Sequence, residues 1–131
     1  MARKKLSSLT DLEIDIMNVV WRLGRATVRQ IVDALRDQRP LAYTTVQTVL
    51  SILTQKRVVQ YTCEGRAYVY SAIVQPEGVR QETIKAVVDK LFAGSSQSLV
   101  LHLIESDSVT AEEAKSLRNL LDRRVSEASD D

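Results

Sequence analysis

Apolar residues recur at helical spacing in three segments near the start of the chain. The first two segments each open with a capping box, at residues 10–13 and 27–30, in which Thr is followed three positions later by Glu or Gln. Gly24 is placed to end the first helix, and Pro40 separates the second helix from the third. The third helix is predicted at residues 42–56. Its apolar face consists of Val46, Val49, Leu50 and Leu53.

Two β-rich runs follow, at residues 58–63 and 67–72, and Gly65 lies between them where a tight turn needs it. Three helices followed by a hairpin is the order of a winged helix-turn-helix domain. In such a domain the second helix of the helix-turn-helix enters the DNA major groove, and the hairpin reaches the flanking backbone. The pattern therefore predicts a mainly α fold with a small β-hairpin wing, and a DNA-binding domain over residues 1–73.

The rest of the chain, residues 74–131, predicts three helices and a short acidic tail. Pro76 suits the first turn of a helix, residues 93–96 interrupt the pattern, and residues 110–113 form a third capping box. Residues 98–105 are apolar almost all round, so this helix needs cover on every side. A symmetric dimer provides that cover, which predicts a helical dimerisation domain. The predicted interface residues are Leu91, Leu99, Leu101, Leu103, Ile104, Leu117, Leu120 and Leu121.

Composition places the chain among ordinary globular proteins of one domain or two small ones, with 44% apolar and 27% charged residues in 131. No apolar run approaches the roughly 20 residues that cross a bilayer, and the start shows no export signal. The single cysteine, Cys63, excludes an internal disulfide. We therefore expect a cytoplasmic protein without membrane insertion.

Charge is distributed unevenly along the chain. Residues 1–72 contain 11 Lys and Arg against 6 Asp and Glu, whereas residues 73–131 contain 7 against 11. Residues 38–63, the acid-free segment, contain no Asp or Glu but do contain Arg39, Lys56 and Arg57. With 17 acids in 131 residues, chance would place about three in a stretch of this length. A surface without carboxylates favours binding to a polyanion.

The third helix presents uncharged hydrogen-bonding side chains opposite its apolar face. Thr and Gln can both donate and accept, and Gln can pair bidentately with adenine, so this face is predicted to contact bases or phosphates rather than only solvent. Arg66 at the hairpin tip is predicted to contact the minor groove or a phosphate. For Arg3, Lys4 and Lys5, backbone attraction and disorder remain equal alternatives. The predicted DNA-binding residues are Tyr43, Thr44, Thr45, Gln47, Thr48, Ser51 and Arg66.

The remaining candidate residues favour structural roles. Trp21 and Met17 are expected in the core, and Tyr68 and Tyr70 are expected to pack within the wing. The single His102 and the single cysteine lie in different halves, and neither has the companions that a metal site or a nucleophile would need. The sequence contains no Gly-rich phosphate loop. We therefore predict no enzyme, no metal and no cofactor.

Five stretches of the sequence carry a family resemblance: residues 9–21 with Glu13, Met17 and Trp21, residues 26–31, residues 42–50, residues 66–70, and residues 91–95 with 98–101. Together they resemble the penicillinase-repressor family, the BlaI/MecI/CopY group of bacterial transcriptional repressors. The resemblance covers residues 9–124. It implies a winged helix, a homodimer formed by the C-terminal helices, and binding to palindromic operators in promoters of resistance or copper-handling genes.

The resemblance also implies a means of control. In the β-lactam branch, a membrane sensor protease system triggers cleavage of the fifth helix between an Asn and a Phe. This chain has His102 and Leu103 at those positions, so cleavage is either absent here or uses another sequence preference. The copper branch carries a C-terminal paired-cysteine motif, and no cysteine follows Cys63.

Two other classes of protein remain as alternatives. A winged helix can bind a protein partner instead of DNA, and a repressor of this fold can respond to a small ligand. The acid-free segment favours DNA, because protein partners impose no such one-sided charge rule. The sequence shows no obvious ligand pocket.

Overall fold

The computed structural model describes residues 9–129. The predicted basic arm, Arg3 to Lys5, lies outside the described residues, as do the last two residues of the acidic tail. The described part contains six helices and three short strands. The predicted fold class, mainly α with a small β wing, is confirmed.

The elements follow one another in the predicted order, with one addition. The helices are α1 (Asp11–Leu23), α2 (Val28–Leu35), α3 (Tyr43–Gln55), α4 (Pro76–Leu91), α5 (Ser96–Glu105) and α6 (Ala111–Ser129). The strands are β1 (Arg25–Thr27), β2 (Val59–Glu64) and β3 (Ala67–Ala72). β1 was not predicted, because three residues are too few to show a period-2 pattern.

All three predicted capping boxes are present. The backbone N–H of Thr10 donates to Glu13 Oε1 at 2.8 Å, and the N–H of Glu13 donates back to Thr10 Oγ1 at 3.1 Å. The same reciprocal pairs join Thr27 with Gln30 and Thr110 with Glu113. Each box satisfies N–H groups that have no partner in the first turn of a helix, which explains why α1, α2 and α6 begin where the sequence indicated.

The three strands form one antiparallel sheet in the order β1-β3-β2. β2 and β3 are the wing, and Tyr61 lies opposite Tyr70 while Cys63 lies opposite Tyr68. Directly opposed residues share a face of the sheet, so these side chains are on one side. β1 pairs Ala26 with Tyr70 and thereby joins the α1–α2 connection to the base of the wing.

The core lies where α1, α2 and α3 pack together over the base of this sheet. Met17 is completely buried there, as expected. Trp21 is only partly buried at the edge of the core, and its Nε1–H donates to the carbonyl of Val74 at 2.8 Å. The largest fully buried side chains are Ile16, Met17, Ile31, Leu50, Leu53, Val20, Val46, Val58 and Val59.

An apolar groove, which the sequence did not reveal, lies between α1 and the first half of α4. Its volume is about 260 Å³. Ile14 and Trp21 form part of one wall, and Pro76 and Val79 form part of the other. The first half of α4 therefore packs with the winged-helix elements.

The chain divides into two compact units, Met1–Ala86 and Val87–Asp131, of which residues 9–129 are described. In the second unit, the rings of Phe92 and His102 meet edge to face at 5.9 Å. No residue of α5 or of the described α6 is buried within the chain. The predicted functional boundary after residue 73 stays a prediction.

A buried ion pair joins the start of α1 to the end of α3. Lys56 Nζ lies 2.9 Å from both carboxylate oxygens of Glu13, and the two side chains are only 8% and 6% exposed. Burial by itself raises the pKa of Glu13. Hydrogen bonds from Lys56 and from Thr10 outweigh that effect and hold the pKa below its usual value.

We expect Lys56→Met to lower the free energy of unfolding by about 3–5 kcal/mol, because it leaves a buried carboxylate without its cation. The double variant Glu13→Gln with Lys56→Met should be less destabilised, since Gln preserves the capping box and removes the charge. Urea unfolding at neutral pH measures both effects. Arg22→Met, at an exposed cation, is the matched control and should change stability little.

The same ion pair predicts a pH dependence of stability. Because the pKa of Glu13 is lower in the folded protein, the contribution of the pair is complete above the unfolded value of about 4.5. This contribution to stability is lost as the pH falls through the lower pKa that Glu13 has in the folded protein. The wild type should therefore lose stability below pH 4.5 more steeply than Glu13→Gln, and equal slopes would contradict this account.

Candidate nucleic-acid interface

Helix α3 presents one buried face and one polar face. Val46, Val49, Leu50 and Leu53 are buried against the core, which fixes the rotation of the helix about its axis. The predicted contact residues on the opposite side are exposed, except that Thr45 is half-buried at the edge of the core face. The exposed ones are Tyr43, Thr44, Gln47, Thr48 and Ser51.

The hydrogen-bonding capacity of this polar face is largely free. Within the described residues, the side chains of Thr44, Gln47 and Thr48 have no protein hydrogen-bond partner. Ser51 differs, because its Oγ donates to the carbonyl of Gln47 at 3.2 Å. Thr44, Gln47 and Thr48 are therefore the groups best able to bind an external partner.

The wing, the start of α2 and the start of α3 enclose a cleft of about 430 Å³, which we call the wing cleft. It brings together three of the predicted residues, Tyr43, Gln47 and Arg66, whereas the other four do not line it. Its complete lining is Thr27, Val28, Arg29, Tyr43, Gln47, Arg66, Ala67, Tyr68 and Tyr70. None of these residues is acidic.

Arg29 on α2 is a charged residue of the wing cleft that is not among the residues predicted to bind DNA. The central carbon of its guanidinium lies 5.1 Å from the centroid of the Tyr43 ring, a cation–π contact. A signal was available in the sequence. The helix before the recognition helix crosses the DNA backbone in helix-turn-helix domains, and Arg29 is a basic residue in its first turn.

Three tyrosines line the inner face of the wing. Tyr61 and Tyr68 stack at 4.3 Å with an interplanar angle of 20°, and Tyr70 packs against both at 5.6 and 6.4 Å. Tyr70 is buried, whereas Tyr68 remains 47% exposed although it packs on Tyr61. Burial raises the pKa of the Tyr70 hydroxyl, and the neighbouring Tyr61 and Cys63 raise that of Tyr68. Both phenols are therefore neutral donors at physiological pH.

Two of the three cations in the acid-free segment form ion pairs with carboxylates from outside the segment. Lys56 is buried against Glu13 and Arg39 pairs with Asp15, so neither is a free surface cation. At the wing, Arg25 pairs with Glu64. Within the described residues, Arg29 and Arg66 form no ion pair.

Between residues 9 and 129, no group of three or more His, Cys, Asp or Glu side chains is arranged to hold a metal ion. No helix in that range has the length and apolar character needed to cross a bilayer.

A three-helix core, an uncharged outward face on α3 and a β wing bearing a free arginine define a winged helix-turn-helix protein of the DNA-binding class. The chain belongs to the penicillinase repressor family, whose model matches residues 9–123. This confirms the family identified from the sequence. Members of the family are DNA-binding transcriptional repressors and not enzymes.

Relatives and a solved structure agree with this placement. The chain is 39% identical over 119 residues to the transcriptional regulator BlaI of Mycobacterium tuberculosis, covering 89% of this chain and 85% of that protein. It is 24% identical over 120 residues to the methicillin resistance regulatory protein MecI of Mammaliicoccus sciuri, covering 92% and 98%. The solution structure of the DNA-binding domain of the repressor BlaI matches with a TM-score of 0.51 and 25% identity, covering 57% of this chain and 92% of that one.

Proposed function

We propose that this protein is a homodimeric repressor that binds a palindromic operator and controls genes of the resistance type. The observation that carries the proposal is the outward face of α3, which has free hydrogen-bonding groups and no carboxylate, beside a cleft with two unpaired arginines. A winged helix that binds a protein would not need both features.

The recognition role rests on the geometry of α3. Its 13 residues extend about 20 Å, and a helix of this kind fits a major groove roughly 12 Å wide. Thr44, Gln47 and Thr48 are proposed to read base edges, because their side chains are exposed and free. The remaining predicted residues, Tyr43, Thr45, Ser51 and Arg66, are proposed to contact or support contacts with the backbone.

The dimer is proposed from the apolar surface of the C-terminal unit. In the single chain, Leu101, Ile104 and Leu120 are each about half exposed, and Leu91 and Leu121 are more exposed still. A soluble monomer rarely leaves so many large apolar side chains in contact with water. A second copy of the chain would cover them, and two-fold symmetry would match a palindromic operator.

The regulated genes are proposed from the relatives, one of which is named as a methicillin resistance regulatory protein. We place the repressor in the cytoplasm, where its DNA target is. The proposed induction route is a cut in α5, made through a membrane sensor protease system, with His102 and Leu103 at the site. Residues 101–104 are exposed within the single chain.

Replacing Thr44, Gln47 and Thr48 together by Ala should abolish preference for the operator. Each good bidentate base contact contributes about 1–3 kcal/mol of discrimination, whereas exposed Ala residues favour the helix. Fluorescence anisotropy should be measured on duplexes selected by the wild type from a random library, and on scrambled duplexes. Gln55→Ala, about two to three turns further along α3, is the matched control. Operator affinity like that of the wild type in the triple variant would refute the recognition-helix assignment.

Leu101→Asp should dissociate the dimer, because association would bury an unpaired charge at a cost of several kcal/mol. Gln97→Asp, at an exposed polar position of the same helix, should leave the dimer intact. Sedimentation velocity at micromolar concentration distinguishes the two. A dimeric Leu101→Asp variant, or a monomeric wild type, would contradict the proposed interface.

A cut between Leu101 and Ile104 should abolish tight operator binding. Two linked winged helices bind about 10²–10⁴ times more tightly than separate ones, and the cut removes most of the proposed link. An engineered protease site inserted there provides the test, with the same site inserted behind Asp131 as control. Tight binding by the cut protein would refute the mechanism.

The cellular part of the induction route needs a separate measurement. Mass spectrometry of the repressor from cells exposed to a β-lactam should detect fragments that end within residues 101–104. A chain that stays intact while its genes are expressed would show that another signal acts.

A further inference from the structure

The two walls of the wing cleft each carry one unpaired guanidinium. Arg29 projects from the first turn of α2, and Arg66 lies in the turn between β2 and β3. Three arginines of the same unit, Arg25, Arg36 and Arg39, are each neutralised by a carboxylate. Among the described residues neither Arg29 nor Arg66 has such a partner. Their charge is therefore available to an anion that enters the cleft.

The rest of the lining suits a phosphodiester rather than an apolar ligand. Thr27, Gln47 and Tyr68 supply hydroxyl and amide groups, and the lining contains no carboxylate that would repel an anion. The acid of the hairpin, Glu64, is opposite Ala67 in the register and so belongs to the other face of the sheet from Tyr68. The volume of about 430 Å³ lies within the roughly 300–1,000 Å³ of small-molecule sites, so a sugar–phosphate unit can be accommodated.

Tyr43 holds Arg29 in place within this cleft. The guanidinium carbon of Arg29 lies over the ring of Tyr43, 5.1 Å from its centroid. Within the described residues no carboxylate is paired with the guanidinium N–H groups. These groups can donate two parallel hydrogen bonds to phosphate oxygens. An arginine that is already oriented loses less conformational freedom on binding than a free one.

We propose that the wing cleft binds a backbone phosphate of the operator strand next to the major groove, with Arg29 as the direct ligand. Arg66 neutralises the same strand from the opposite wall. Tyr43 is a positioning residue, which acts through Arg29 and reads no base. This inference rests on the proposed function, because it assigns the wing cleft a task in DNA binding.

The assignment has a consequence that separates it from a purely structural role. A phosphate contact releases counterions, and its strength does not depend on the base sequence of the DNA. Arg29→Gln should therefore weaken binding to operator and to random duplex by the same factor. It should also reduce the slope of log affinity against log salt by about 0.9 for each protomer bound. Arg22→Gln, at an exposed arginine outside the wing cleft, removes the same charge and should leave the slope unchanged.

The role of Tyr43 is tested by a double-mutant cycle on the full-length protein. Tyr43→Phe keeps the ring, so the loss of affinity caused by Arg29→Gln should be as large in this variant as in the wild type. Tyr43→Leu should lose affinity in the wild-type background but lose nothing more in the Arg29→Gln background. Arg29→Lys should keep the salt slope, because it keeps the charge, and should lose part of the affinity. Thermal unfolding monitored by circular dichroism confirms that each variant is folded.

The outcomes are distinguishable. If the wild type binds duplex DNA and Arg29→Gln has the wild-type salt slope, the phosphate assignment is overturned while the proposed function stands. If Arg29→Gln weakens operator binding alone, Arg29 reads a base and the assignment is again overturned. Additive effects of Arg29→Gln and Tyr43→Leu would overturn the positioning role. A wild type that binds no duplex at all would overturn the proposed function and this inference together.

Discussion

The structure depends on one constraint, which is that α3 must bury one face while keeping the other free for a partner. Val46, Leu50 and Leu53 lie in the core between α1, α2 and the base of the sheet. Because side chains three and four positions apart share a helix face, burying these residues fixes where Thr44, Gln47 and Thr48 point. Packing of the apolar residues thus orients the polar face of α3. No contact among the polar residues is needed for this.

The Glu13–Lys56 ion pair adds a second restraint on the same helix. Hydrophobic contacts are non-directional and set the rotation of α3 better than its tilt. A bidentate ion pair at 2.9 Å between the start of α1 and the end of α3 is directional, and it fixes the far end of the helix. Such a pair contributes little net stability, since desolvation offsets the attraction. Its value to α3, the proposed recognition helix, is the geometry that it specifies.

Sequence patterns predicted features that depend on neighbouring residues and missed those that depend on distant ones. The capping boxes and the apolar face of α3 are local, and both were found. β1 forms only because β3 offers it a partner, and Arg29 meets Tyr43 only after α2 and α3 pack. The same limit applies to the ion pair between Lys56 and Glu13. The two residues are 43 positions apart, so their pairing is not visible in the sequence.

The two units differ in how far they bury apolar residues within one chain. The first unit buries a core of apolar residues within one chain. In α5 and the described α6 no residue is buried within the chain, so the proposed dimer would supply the burial that the second unit lacks. Stability of the second unit and avidity for DNA would then share one source, the proposed contact between two chains. Under this proposal, disrupting that contact weakens operator binding without altering α3 or the wing cleft.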